Sequence, residues 1–268
     1  LKLTKKRKES LGIRNTDEPR ILLWDIETSH MICAVFDLDP GYISHENILQ
    51  DWFMICAAWK WHGSDRVYVK SISDNKKKFK QDHTDDSELI QSLHAVLMNT
   101  DIIVAHNGDR FDTKKFNTRA IKYGLEPVPF IPSVDTLREA KRYFKFTSNR
   151  LDYLGEFLGV GRKIETTRGL WLRVLNGDIE AAKEMAKYNI GDVELLERVY
   201  LKLRPHMRTH PNLNLLQGTD HACPNCGSGD IQRRGTRRTR VSVFQRYSCN
   251  SCGSWSSTGK ALDRTDVR

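Results

Sequence analysis

Three acidic signatures lie along this chain in a fixed order: Asp25 with Glu27, then Asp112, then Asp192, the last preceded by Tyr188. Carboxylate oxygens are the ligands that hard divalent cations select, so four acids could hold two ions of Mg2+ or Mn2+. Two such ions on a shared acid set suit phosphodiester hydrolysis. A second set is made of thiols. Cys223 and Cys226 are followed, after 22 residues, by Cys249 and Cys252, which offers four thiolates to one tetrahedral structural Zn2+.

The acids need rigid elements to bring them together. The run 20–28 is almost continuously apolar before its acids and predicts a buried central strand. Asp25 and Glu27 are two apart on it and share a face. Paired acids beside Ile21, Leu22 and Leu23 are costly unless a cation compensates them. Further strands are expected at 54–61, 66–72 and 101–105, and helices at 87–99 and 110–123. Asp112 would then stand where a strand hands over to a helix, at the sheet end where open α/β sites cluster. The region 133–204 reads as helical, with 178–203 forming one or two helices closed by Pro205. Tyr188 and Asp192 are four apart there and share a helix face. Strands early, helices late and one crossover between them predict an α/β fold, a mixed sheet flanked by helices.

The chain has 268 residues, a net charge of +9 and a pI near 9.2, which fits a polyanionic partner. No apolar run reaches the roughly 20 residues needed to span a bilayer, and no apolar segment follows the basic start as in a secretory signal. Cys33 and Cys56 stand apart from the four knuckle cysteines, so the six do not form a disulfide framework, and a reducing, intracellular, cytoplasmic setting is expected. Four segments are expected. Residues 1–19, with Lys2, Lys5, Lys6, Arg7 and Lys8, read as a flexible basic arm. Residues 20–205 form the main domain, 206–219 a linker, and 220–268 a small zinc-binding domain.

The ordered set Asp25-Ile26-Glu27, Asn107 through Asp112, and Tyr188 through Asp192 resembles the DEDD exonuclease superfamily, whose fold is the ribonuclease-H-like sheet. Tyr188 points to the DEDDy branch, because the DEDDh branch places His five residues before the last acid, where this chain has Lys187. The resemblance covers about residues 20–204. It implies that Asp25 bridges two ions, that Glu27 and Asp192 complete the tighter site, that Asp112 supports the second ion, and that Tyr188 positions water. The expected activity is a 3′→5′ exonuclease releasing 5′-mononucleotides. Thr28, Asn107 and Phe111 are candidates for contact with nucleic acid, with Asn107 also expected to pin its turn through its side chain. The stretch 151–159 is similar to the exonuclease domains of family B polymerases. With no polymerase domain after it, the arrangement resembles stand-alone exonucleases such as those of phages.

The segment between the cysteine pairs alternates and predicts a ribbon hairpin. It carries Arg233, Arg234, Arg237, Arg238, Arg240 and Arg246, a set suited to phosphate contacts. Its knuckles are similar to zinc ribbons of some transposases. His206, His210 and His221 lie nearby but are expected outside the four-thiolate site. DNA, single-stranded or at a 3′ end, is the expected partner, with a polymerase or recombination factor as a further one. The competing readings are an exoribonuclease and a catalytically silent nucleic-acid-binding adaptor. Intact acids at 25, 27, 112 and 192 argue against the latter.

Overall fold

The computed structural model describes residues 3–13 and 18–267, so Lys2 of the expected arm lies outside it. In chain order the larger part contains α1 (Lys5–Ser10), β1 (Ile21–Thr28), β2 (Ile32–Cys33), β3 (Ile48–Gln50), β4 (Met54–Trp61), β5 (Val67–Ser71), α2 (Lys76–Gln81), α3 (Ser87–Leu97), β6 (Ile102–Ala105), α4 (Asp112–Lys122), β7 (Ser133–Asp135), α5 (Thr136–Tyr143), α6 (Leu151–Phe157), α7 (Leu170–Leu175) and α8 (Ile179–Leu203). The short α9 (Leu213–Gln217) leads to β8 (Ile231–Arg238), β9 (Ser242–Cys249), β10 (Trp255–Ser257) and β11 (Asp263–Arg264).

The main sheet has the order β5-β4-β1-β6-β7. β4 runs antiparallel to β1 and to β5, while β6 is parallel to β1 and β7 to β6. β1 is therefore central, as its apolar run requires. Its residues alternate between two cores. Leu22, Trp24 and Ile26 join the cluster containing Leu89, Ile90 and Leu93 of α3 and Phe116 of α4. Ile21 and Leu23 join the cluster containing Val193, Leu196 and Val199 of α8. Asp25 and Glu27 continue the second series at the carboxyl end of the strand. A mixed sheet flanked by helices on both faces is thus the observed architecture.

Three expectations are corrected. Residues 3–13 are not a free arm. α1 is capped by Thr4, and Leu11 and Ile13 are buried in the core. The carbonyl of Leu11 accepts from Trp59 Nε1 at 3.1 Å and Trp61 Nε1 at 3.2 Å, which satisfies two buried indole donors. Residues 206–219 are not a free linker either. Met207, His210 and Leu213 are buried, and the Tyr200 hydroxyl lies 2.7 Å from His210 Nε2. Finally, the region after 133 opens with the strand β7 before turning helical; three residues are too few to show a strand period. The stretch 179–203 is a single helix.

A buried ion pair fastens the α3–α4 side. Asp86, fully buried at the start of α3, accepts from Arg119 Nε at 2.7 Å and Arg119 Nη2 at 2.6 Å. It also accepts from the Tyr123 hydroxyl at 2.5 Å and from the backbone of Met54 at 2.8 Å. Four donors to one carboxylate compensate a charge that would otherwise be prohibitive there.

The cysteine-bearing part is a separate sheet in which β9 pairs with β8, β10 and β11. Its first knuckle docks on the end of α8: Asn225 Nδ2 donates to the carbonyls of Arg204 at 3.1 Å and Met207 at 2.9 Å. The Arg204 carbonyl also accepts the N–H of Met207 at 3.1 Å, so Asn225 joins the turn that closes the helix.

Candidate active site

The site forms where β1 ends. A β-bulge between Glu27 and Thr28 interrupts the pairing with β4, a common device beside sites because it re-aims the following side chain. α8 crosses this end of the sheet and brings Tyr188 and Asp192, one turn apart, over the two strand acids. Asp25, Glu27 and Asp192 each present an oxygen, all within 4.8 Å of one another. Asp112 does not belong to that tight group. It begins α4, is 2% exposed, and its Oδ1 accepts the backbone N–H of Ile26 at 3.1 Å. Since Ile26 lies between Asp25 and Glu27, this bond ties the fourth acid to the same stretch of strand.

The loop before Asp112 is braced by an acid that the sequence did not single out. Asp135 Oδ1 accepts from the backbone of Asn107 at 2.9 Å and Leu137 at 3.0 Å, so one carboxylate caps α5 and holds the loop. Asn107 adopts φ +69°, a left-handed conformation that asparagine tolerates. The expectation that its side chain pins the turn is corrected: among the described residues its backbone and Asp135 do so. Gly108 is required by close packing, because a Cβ there would meet the Ala105 side chain at 2.3 Å.

Three further residues complete the geometry. Lys163, from the loop between α6 and α7, places Nζ 2.6 Å from Asp192 Oδ2 and 3.0 Å from the Tyr188 hydroxyl. Asn189, fully buried, donates through Nδ2 to Asp25 Oδ2 at 2.6 Å and accepts from the Cys56 thiol at 3.7 Å. Trp171 meets the Tyr188 ring edge-on, with centroids 6.0 Å apart, and lies near enough to Glu27 to favour its charged form slightly. Asn189 adjoins Tyr188 in sequence and could have been suspected. Nothing in the spacing marks Lys163, although an acid cluster calls for a cation.

Electrostatics favour a further positive charge. Burial holds the Asp25 carboxyl well above the usual carboxylate range, helped by Asp112, Glu27 and Asp192. Burial and then Asp192 push Glu27 up to about 8. Burial lifts Asp112 to about 7 and also raises Asp192, the latter against the pull of Lys163. Among the described residues Asp192 Oδ1 is buried without a hydrogen-bond partner. An oxygen without a donor, three converging carboxylates and mutual repulsion together fit a hard divalent cation.

The four sulfurs of Cys223, Cys226, Cys249 and Cys252 also lie within 4.8 Å of one another. In each knuckle the glycine after the second cysteine, Gly227 or Gly253, has positive φ and donates its N–H to the first cysteine's carbonyl, at 2.8 and 2.9 Å. This cluster fits a zinc ribbon. Among the described residues no histidine joins it, and His210 instead packs against Tyr200. Arg233, Arg234, Arg237, Arg238, Arg240 and Arg246 are exposed on the hairpin, with Arg237 over Phe244 and Arg246 over Trp255. Tyr247 is buried, while Trp255 is open to solvent. Thr28 is half-buried beside the bulge, and Phe111 is 38% exposed at the start of α4.

Comparison with known proteins bears on this arrangement. The chain is 28% identical over 140 residues to the DNA polymerase III PolC-type of Ureaplasma parvum, covering 52% of this chain and 10% of that protein. It therefore spans about a tenth of the length of the curated relative it matches. The family B DNA polymerase from Pyrobaculum calidifontis is a similar solved structure, with a TM-score of 0.44 and 14% identity over 83% of this chain and 31% of that one. Residues 62–204, more than half of the chain, match the family model of the RNase_H superfamily, a span that takes in Asp112, Lys163, Tyr188 and Asp192. With that match added to a central strand ending in acids and a helix laid across it, the chain belongs to the RNase H superfamily.

Proposed function

We propose that this protein is a metal-dependent 3′→5′ exonuclease that removes 5′-mononucleotides from DNA, acting on single strands or frayed 3′ ends. The observation that carries this reading is the convergence of Asp25, Glu27 and Asp192 with Tyr188 and Lys163 at the end of the central strand. Its similarity to the DNA polymerase III PolC-type and its superfamily support a nuclease role.

Asp25, Glu27 and Asp192 would hold one Mg2+ or Mn2+, and Asp25 with Asp112 the second; bound there, the pair supplies activation of water and neutralisation of charge at the phosphorus. The remaining work belongs to the chain. Asn189 fixes the Asp25 carboxylate by occupying one of its oxygens. Tyr188 presents a hydroxyl beside Asp192 and aligns the attacking water. Its high pKa, about 12 through burial, keeps it a neutral donor at physiological pH. Lys163 stays charged: burial works against its ammonium, but Asp192 and Tyr188 together hold its pKa above the usual lysine value, and it faces the phosphate oxygens on which charge grows. Thr28 and Phe111 border the terminal nucleotide. The zinc ribbon is structural, and its arginines grip the phosphate backbone without reading sequence. A replication or recombination protein is the proposed partner, in an intracellular, reducing compartment. Among the described residues no helix is long and apolar enough to cross a membrane.

The test uses 5′-labelled DNA and RNA of matched sequence with Mg2+, Mn2+ or EDTA. A ladder descending from the 3′ end of DNA, abolished by EDTA, is expected. A ladder from RNA alone would transfer the activity to RNA processing. Tight binding without cleavage of either strand would leave a binding adaptor.

A further inference from the structure

A cavity of about 630 Å3 adjoins the acids: Lys163, which pairs with Asp192, also lines it. The other walls include His106, Asn107, Lys141, Asn149 and Arg150. The volume lies within the span of about 300–1,000 Å3 usual for small-ligand sites.

Its charge is unbalanced. Lys141 and Arg150 are exposed and, among the described residues, have no carboxylate partner. Asp152, the acid on the wall, is already engaged by Arg162 Nη2 at 3.1 Å and by the backbone N–H of Lys163 at 2.8 Å. Asn149 Oδ1 is buried and, among the described residues, lacks a donor. The Asn107 side chain is likewise unpartnered among the described residues, while its backbone is clamped by Asp135. His106 is held by Thr136 at 2.9 Å and serves as wall.

Two unpaired cations and an unfilled acceptor describe a ligand that brings phosphate oxygens together with an N–H or O–H donor. A nucleotide within a strand brings both. The terminal nucleotide carries only the phosphate being cut and a free 3′ hydroxyl, whereas the one before it carries a further phosphate on its 5′ side. We infer that this cavity seats the penultimate nucleotide of the strand, with its 5′ phosphate on Lys141 and Arg150 and a donor of its base or sugar on Asn149 Oδ1. The inference rests on the nuclease reading above.

Fluorescein-labelled hexathymidylate is titrated in Ca2+ against the wild type, Lys141→Gln/Arg150→Gln, Asn149→Leu, and a charge control outside the cavity, Lys76→Gln/Lys77→Gln. The Lys141/Arg150 variant is expected to lose at least tenfold in affinity. The slope of log affinity against log salt should flatten by about 0.7, the value for one phosphate of a single strand. The loss should be smaller for thymidine 5′-monophosphate, which has no upstream phosphate. Asn149→Leu should weaken binding severalfold with the salt slope unchanged. Losses no greater than those of the control pair would overturn the subsite. Cleavage with Mn2+ is measured in parallel. Binding that depends on the cavity, without shortening by the wild type, keeps the subsite and removes the nuclease reading. Shortening by the wild type, with the variants binding normally, does the reverse.

Discussion

Lys163 Nζ lies 2.6 Å from Asp192 Oδ2, a loop cation set against a helix acid that is nearly devoid of solvent. The pair joins segments 29 residues apart, and the lysine also reaches Tyr188. The ammonium partly neutralises the acids and is available to a phosphate. Lys163→Met should therefore lower the hydrolysis rate about 10²- to 10³-fold, the usual loss for one donor to developing charge. Mn2+ affinity should not weaken, since a competing cation is removed. Single-turnover hydrolysis alongside Mn2+ titration checks both, and weaker metal binding would contradict the assigned role.

Asp25 and Asn189 form a second coupled pair. Asp25→Ala should abolish hydrolysis while oligonucleotide binding persists, and activity surviving the change would remove Asp25 from the chemistry. Asn189→Ala should act more mildly, weakening Mn2+ binding about 10- to 100-fold, as loss of a group that orients a ligand generally does. Calorimetric titration with Mn2+ separates the two behaviours.

The buried Asp86–Arg119 pair is a matter of stability. Arg119→Met strands a carboxylate from which two strong donors have been withdrawn. Breaking such a pair costs about 3–5 kcal/mol. Thermal or urea unfolding should register that loss, while hydrolysis per folded molecule changes little. A shift under about 1 kcal/mol would mean that water reaches Asp86 freely.

The hairpin arginines should show themselves through salt. Arg237→Gln/Arg238→Gln removes two exposed cations, and the salt slope for single-stranded DNA should flatten by about 1.4. The effect should be alike for different sequences, because phosphate contacts carry no base information. A sequence-dependent loss would show instead that the ribbon reads bases.

His210 supplies a pH signature. Burial lowers it from 6.5 to about 4, and the Tyr200 hydroxyl and the Pro211 carbonyl flank its ring nitrogens. Between these values the unfolded chain binds the extra proton, so stability rises with pH there and is lost as pH falls from 6.5 towards 4. The loss should amount to at most about 3 kcal/mol. Unfolding of wild type and His210→Gln across pH 4–7 isolates it, since the variant lacks this slope and all other titrating groups remain common to both.

Much of the main sheet was legible because its signals are local. The apolar run of β1, the helical spacing of α3 and the Asn107-Gly108 turn each announce themselves within a few residues. The pairing of Tyr188 with Asp192 was legible for the same reason, both lying on one helix turn. The elements that escaped depend on distant partners. β7 exists because β6 offers it an edge, α1 packs because Leu11 and Ile13 find the β4 indoles, and Lys163 matters only because α8 stands opposite. Asp86 stands just before the helix expected at 87–99, but its four donors arrive from three other places in the chain.

One feature sets a length scale. α8 runs unbroken from the acid cluster to the docking point of the ribbon, and from Asp192 to Leu203 it advances about 16 Å at 1.5 Å per residue. On the proposed function, nuclease site and arginine hairpin would be mounted on one rod, and a strand long enough to touch both would be held at two points. Once digestion shortens it below that reach, only the nuclease site would hold it. Trimming should then slow abruptly and leave a residue of short oligonucleotides whose size gauges the rod.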